Sequence, residues 1–166
     1  MSKSQDLYLM AIKNTLDVLM TLRRFPSQIV EKQNHPEVEF QDNKDLMMKP
    51  FVIARNEREM TYIETSVNSI RISIKVNKMP GIEVILTHLF ERFLSLRADS
   101  FDILRKKPAI EGYDFSFLVT ERHLETMKKE ELINFILEFI LSLEKEIKAT
   151  RMMINTKARN ACVFFV

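Results

Sequence analysis

The sequence predicts an α+β fold of two layers, with helices packed on an antiparallel sheet in the order helix, three strands, helix, two strands, helix. Three observations carry this. Between Asn68 and Val76, Ile70, Ile72, Ile74 and Val76 alternate with Arg71, Ser73, Lys75 and Asn77, the period of two that a strand imposes. From Ile82 to Arg97 apolar residues recur at helical period, and Lys128 to Arg151 reads as one long helix.

The first helix is expected up to Arg24. Ser2 and Gln5 have the spacing of a capping box, Leu7, Met10, Ala11, Val18 and Leu22 form one apolar face, and Leu9, Ile12, Leu16 and Met20 form a second. Pro26 follows its end. Ser27 to Asp45, with Pro36 and several amide side chains, reads as a connector running extended around Glu37 to Phe40. Strands are expected at Pro50 to Ala54, Met60 to Glu64 and Asn68 to Val76, with Arg55 to Arg58 as the hairpin turn between the first two. Strands joined this closely pair antiparallel, and the alternation in the third implies one wet sheet face.

Pro80 suits the first turn of the second helix, in which Ile82, Ile85, Leu86, Leu89, Phe90, Phe93 and Leu96 mark the face that covers the sheet. Two more strands are expected at Ser100 to Leu104 and Gly112 to Thr120, joined by the basic linker from Arg105 to Glu111. A short turn from Glu121 leads into the last helix.

That helix carries more apolar surface than a single stripe. Leu132, Ile133, Phe135, Ile136, Leu137, Phe139, Ile140, Leu141, Leu143 and Ile147 wrap most of its axis, so it is expected to have two neighbours. At about 1.5 Å per residue, Lys128 to Arg151 spans roughly 36 Å, longer than one domain of this mass needs. Leu132, Ile136, Phe139, Ile140, Leu143 and Ile147 are therefore expected to meet another chain, with residues 152–166 as a basic tail.

A chain of 166 residues fits one domain, here residues 1–166, with enough length to bury a core. The 46% hydrophobic and 29% charged fractions place it among folded globular proteins, and no apolar run approaches the roughly 20 residues of a membrane span. With 25 basic and 23 acidic side chains the net charge is +2, so recognition of an acidic partner must come from local clusters rather than an overall field. Cys162 is the only cysteine, which excludes an internal disulfide, and the first residues lack the pattern of a secretion signal, so the cytoplasm is the expected compartment.

Catalytic signatures are missing. The chain has two glycines, Gly81 and Gly112, too few for a phosphate-cradling loop. His35, His88 and His123 fall in separate elements and form no metal-ligand pattern, so they read as structural histidines. Glu144 and Lys148 are spaced as a solvated helix pair, and the twelve phenylalanines and ten methionines recur at core periods. The expectation is a protein without enzymatic activity, cofactor or metal.

The polar feature above background is local basic clustering: Arg105, Lys106 and Lys107 in a loop, then Lys148, Arg151, Lys157 and Arg159 at the end. Such clusters complement acidic polymers, actin filaments and nucleic acids alike, with effects that weaken as salt rises.

A set of phrases resolves the choice by resemblance. They are SQIVE at 27–31, PEVE at 36–39, ARNERE at 54–59, IE at 63–64 and SVNSIR at 66–71. Phe93 with Arg97 and Ala98, ILRKKP at 103–108, GYDFSFLVT at 112–120, EKEI at 144–147 and NTKAR at 155–159 complete the series. In order and over nearly the full length, they resemble the subunit 4 family of the actin-related protein 2/3 complex, the branching nucleator of actin. The resemblance implies a non-enzymatic subunit whose long terminal helix pairs with subunit 2. That pair would form the structural centre for the two actin-related subunits and the other small subunits, and would grip the side of the mother filament. By matching positions, the resemblance implies filament contacts at Arg55, Arg105, Lys106, Lys107, Arg151, Lys157 and Arg159. The alternative is a stand-alone α+β binding or chaperone-like module using the same helix for another partner. An RNA adaptor ranks lower because no aromatic stacking motif accompanies the basic loops, and an enzyme ranks last.

Overall fold

The computed structural model describes residues 3–22, 38, 47–66, 69–77, 81–96, 104–105, 110–120, 123 and 128–164. The chain runs through helix α1 (Lys3–Leu22), strands β1 (Phe51–Ala54), β2 (Met60–Thr65) and β3 (Ser69–Lys75), and helix α2 (Ile82–Leu96). Strands β4 (Leu104–Arg105) and β5 (Phe115–Thr120) and helix α3 (Lys129–Phe164) complete it. The element order and the α+β class are those expected from the sequence.

The strands form one antiparallel sheet in the order β1-β2-β3-β5-β4, so β5 slots between β3 and the short edge strand β4. The hairpin between β1 and β2 falls where the sequence placed it. Arg55 N–H donates to the Glu59 carbonyl at 2.9 Å, and the Asn56 side-chain oxygen accepts from the amides of Arg58 and Glu59 at 2.8 and 2.9 Å. Asparagine closes such a turn because its carbonyl reaches its own backbone two residues on. Gly112 has φ of 91° in a turn closed by Tyr113 N–H on the Ile110 carbonyl, a conformation in which a Cβ would be strained.

One face of the sheet is the core. Register aligns Ile63, Ile72 and Phe117 across three strands, and Thr61, Ile74 and Phe115 beside them, all on the side that meets the helices. Helix α3 lies over this face and packs against both α1 and α2. Phe135 and Phe139 meet Phe117 and Phe115 edge-on, with ring centroids 5.0–6.2 Å apart, a geometry that aromatic quadrupoles favour.

The other face departs from expectation. Arg71 and Ser73 are buried rather than wet. Arg71 stands directly opposite Glu64 in the β2–β3 register, and its Nε donates to Glu64 Oε1 at 2.8 Å. Val38, where the connector was expected to run extended, is instead helical and fully buried, and it donates its N–H to Ser69 Oγ at 3.2 Å on this face. An alternation of Ile with Arg and Ser marks two chemically different faces, and here both are covered.

Helix α1 turns its second-ranked apolar face inward: Leu9, Ile12, Leu16 and Met20 are buried, together with Tyr8 and Leu19, whereas Leu7, Met10 and Val18 are exposed. Helix α3 continues to Phe164, well past the Arg151 boundary expected from sequence, so residues 152–164 are helix and not an irregular tail. Pro80, Ser2 and residues 100–103 lie outside the described residues.

Candidate assembly surface

Leu132, Ile136, Phe139, Ile140, Leu143 and Ile147 are core residues of this chain, at most 8% exposed. Side chains this enclosed keep only a sliver of surface, so the expectation that these six carry the contact with another chain is corrected. Their outward neighbours Glu131, Asn134, Glu138 and Lys145 are exposed and polar. The surplus apolar surface read from the sequence is consumed internally, because α1 and α2 flank α3 while the sheet lies beneath it.

The bare surface begins later on the same helix. Ile147 is the last buried residue among the described side chains, and every position from Arg151 to Lys157 is exposed, including Met152, Met153 and Ile154 at 62, 56 and 47%. Ile154 follows Ile147 by seven residues, continuing the core stripe into solvent. Thr150 and Thr156 turn their hydroxyls back onto the carbonyls of Glu146 and Met152 at 2.8 and 2.9 Å. Lys148, Ala149, Arg151, Met152, Met153 and Lys157 are strong helix formers, so the local sequence itself favours the helix where its own domain leaves it exposed.

Where α3 leaves the body it is tied down by polar contacts. The Gln5 amide donates to Glu144 Oε2, and Arg55 Nη1 lies 3.1 Å from Glu59 Oε2 and 3.7 Å from Glu144 Oε1. Arg55 Nε also donates to Ser4 Oγ at 3.1 Å, and the Tyr8 and Thr61 hydroxyls share a hydrogen bond of 2.6 Å. One arginine from the hairpin thus joins the first turn of α1 to the middle of α3. Burial raises the Glu144 carboxyl above the usual range, the Arg55 guanidinium opposes the shift and the Glu59 charge adds to it. Burial likewise pushes the Tyr8 phenol up to about 12, against the hydrogen bond from Thr61. Glu144 is therefore no solvated surface partner of Lys148. The signal in the sequence was its place four residues after Ile140 and three before Ile147, at the edge of the buried stripe.

The cations implied as filament contacts separate into groups. Arg55 is engaged with two carboxylates, its side chain 21% exposed. Arg151 and Lys157 stand exposed on the free end of α3. Arg105 is not in a loop: its backbone pairs with Ser116 in β4, and its side chain lies outside the described residues. Lys106 and Lys107 lie outside the described residues, and Arg159 is on α3 with its side chain likewise outside. His123 accepts from the Thr120 amide at 2.9 Å through Nδ1, a structural role. Among the described residues no cluster of histidine, cysteine and carboxylates could hold a metal ion, and no helix is long and apolar enough to cross a membrane.

The sequence profile of the ARP2/3 complex 20 kDa subunit matches residues 1–166. Actin-related protein 2/3 complex subunit 4 of Dictyostelium discoideum is 48% identical over 159 residues, 96% of this chain and 94% of that protein. The probable subunit 4 of Caenorhabditis elegans is 47% identical over the same shares, and subunit 4 of Saccharomyces cerevisiae is 46% identical over 96% and 93%. At that identity over nearly full length, the chain belongs to the family of the ARP2/3 complex 20 kDa subunit, a family of non-catalytic complex subunits.

Proposed function

We propose that this chain is a structural subunit of the actin-related protein 2/3 complex in the cytoplasmic actin cytoskeleton. In this reading it pairs with subunit 2, holds the actin-related subunits in place and contacts the side of the mother filament during branched nucleation. The carrying observation is the match to the family along the whole chain. The bare end of α3 supports the pairing: Met152, Met153 and Ile154 lie on a helix that its own domain leaves uncovered. Buried apolar surface contributes about 25 cal/mol per Å², so covering three such side chains is a strong drive to associate.

Co-expression with subunit 2 should yield a soluble one-to-one pair, and Met153→Asp with Ile154→Asp should abolish it while leaving the far-ultraviolet dichroism of the chain unchanged. A variant that pairs as well as the wild type would move the interface elsewhere. For filament binding, the candidates are the exposed Arg151 and Lys157, with Arg105, Lys106, Lys107 and Arg159. Arg55 is left out because its charge already serves Glu59 and Glu144. Two double variants, Arg151→Glu with Lys157→Glu and Arg105→Glu with Lys106→Glu, together with Arg159→Glu, should each lower cosedimentation of the assembled complex with filaments. The loss should be largest at low salt, where exposed charges are least screened. Affinity unchanged across a salt series would reject these positions.

A further inference from the structure

Where α3 leaves the body, a groove of about 460 Å³ opens between it, the end of β3, the hairpin and the first turns of α1. Its apolar lining is the half-buried Leu141 together with the small exposed edges of Ile74, Val76, Ile140, Leu143 and Ile147, each at most 8% exposed. Its charges are unbalanced: five lining residues are cationic and two are acidic. Both acids, Glu59 and Glu144, already face Arg55, and Lys75 Nζ donates to the Glu57 carbonyl at 3.1 Å. The charge that an occupant meets is therefore that of Lys145, Lys148 and Arg151, all exposed along one side of the opening.

We propose that this groove is a socket for an acidic segment of a neighbouring subunit, which seats one large apolar side chain against the apolar lining and sets flanking carboxylates against Lys145 and Lys148. An apolar lining is covered at a gain only by an apolar group, and a cationic lip selects carboxylates beside it. Nucleic acid fits poorly, because the only ring in the lining is Tyr8, whose hydroxyl is engaged with Thr61, and no stacking platform is offered. The source of the segment follows from continuity: Arg151 at the lip is followed directly by the exposed Met152, Met153 and Ile154. The inference rests on the reading of the chain as a complex subunit and adds the chemistry of what seats at the root of α3.

The test is zero-length carbodiimide coupling of the complex co-expressed with its other subunits, followed by mass spectrometry of linked peptides. Lys145 or Lys148 should be joined to an aspartate or glutamate of another subunit, in a peptide carrying a large apolar residue beside the coupled carboxylate. Lys145→Glu with Lys148→Glu should lower retention of that subunit through a high-salt wash by about ten-fold, and Lys145→Arg with Lys148→Arg should retain it. Coupling only within the chain, no coupling, a linked peptide without the apolar residue, or unchanged retention of the charge-reversed variant would each overturn the socket. If the wild-type chain fails to copurify with the other subunits, it is the assembly reading that falls, a result separable from a complex that forms with the lysines uncoupled.

Discussion

Glu144 illustrates how one residue connects three elements. Its carboxylate is held by Gln5 from α1 and Arg55 from the hairpin, in a half-buried site that raises its affinity for a proton. Because its folded pKa lies above the unfolded one, the folded chain binds this proton more tightly. The group's contribution is thus most favourable at low pH and declines as pH rises from the ordinary carboxylate range through the folded value. Glu144→Gln removes the titration while keeping an acceptor for Gln5. In urea unfolding of the subunit 2 pair at a series of mildly acidic to neutral pH values, the difference between the two proteins should shift steadily in the variant's favour and then level off. A difference that does not change with pH would mean that Glu144 titrates as a solvated carboxylate. The sequence hid this role because Glu144 and Lys148 have the spacing of an ordinary surface pair, and only the long-range contacts to Gln5 and Arg55 distinguish it.

At the scale of elements, periodicity located the strands and helices, but it could not say which neighbour covers each face. Strand β3 reads as half-wet, yet Arg71 is buried because Glu64 faces it in register and the connector at Val38 lies over the same side. In α1 two apolar faces were visible, and the one turned inward is Leu9, Ile12, Leu16 and Met20. The length read for the last helix, Lys128 to Arg151, is mostly packed in this chain's own core through residues 132–147, and the exposed stretch from Arg151 to Lys157 lies past the end expected from sequence. Local pattern records how much apolar surface a helix carries; the partner is set by tertiary contacts far along the chain. Phe139, in edge contact with Phe115 and Phe117, should lose about 3–5 kcal/mol of stability as Phe139→Ala, read as a lowered urea midpoint with or without the partner. Ile140→Asp should unfold the chain, since it puts an unpaired charge in the core, whereas Ile154→Asp should leave the fold intact and weaken assembly. If Ile140→Asp folded normally and lost only its partner, the internal packing of α3 would be contradicted.

For the whole molecule, the division of labour is along α3. Its first half closes a core between α1, α2 and the sheet, and its second half, from Lys148 onward, extends roughly 25 Å at about 1.5 Å per residue, with every side chain described from Arg151 to Lys157 exposed. A packed root and a bare end suit a part that joins other chains, and Arg55 ties that root to the hairpin and the first turn of α1. Methionine oxidation by hydroxyl radicals, followed by mass spectrometry on the chain alone and in the assembled complex, tests this most directly. The account predicts that Met152 and Met153 oxidise readily in the isolated chain and become strongly protected on assembly, while the chain's own core methionine Met20 is protected in both. Equal oxidation of Met152 and Met153 in the two states would contradict it.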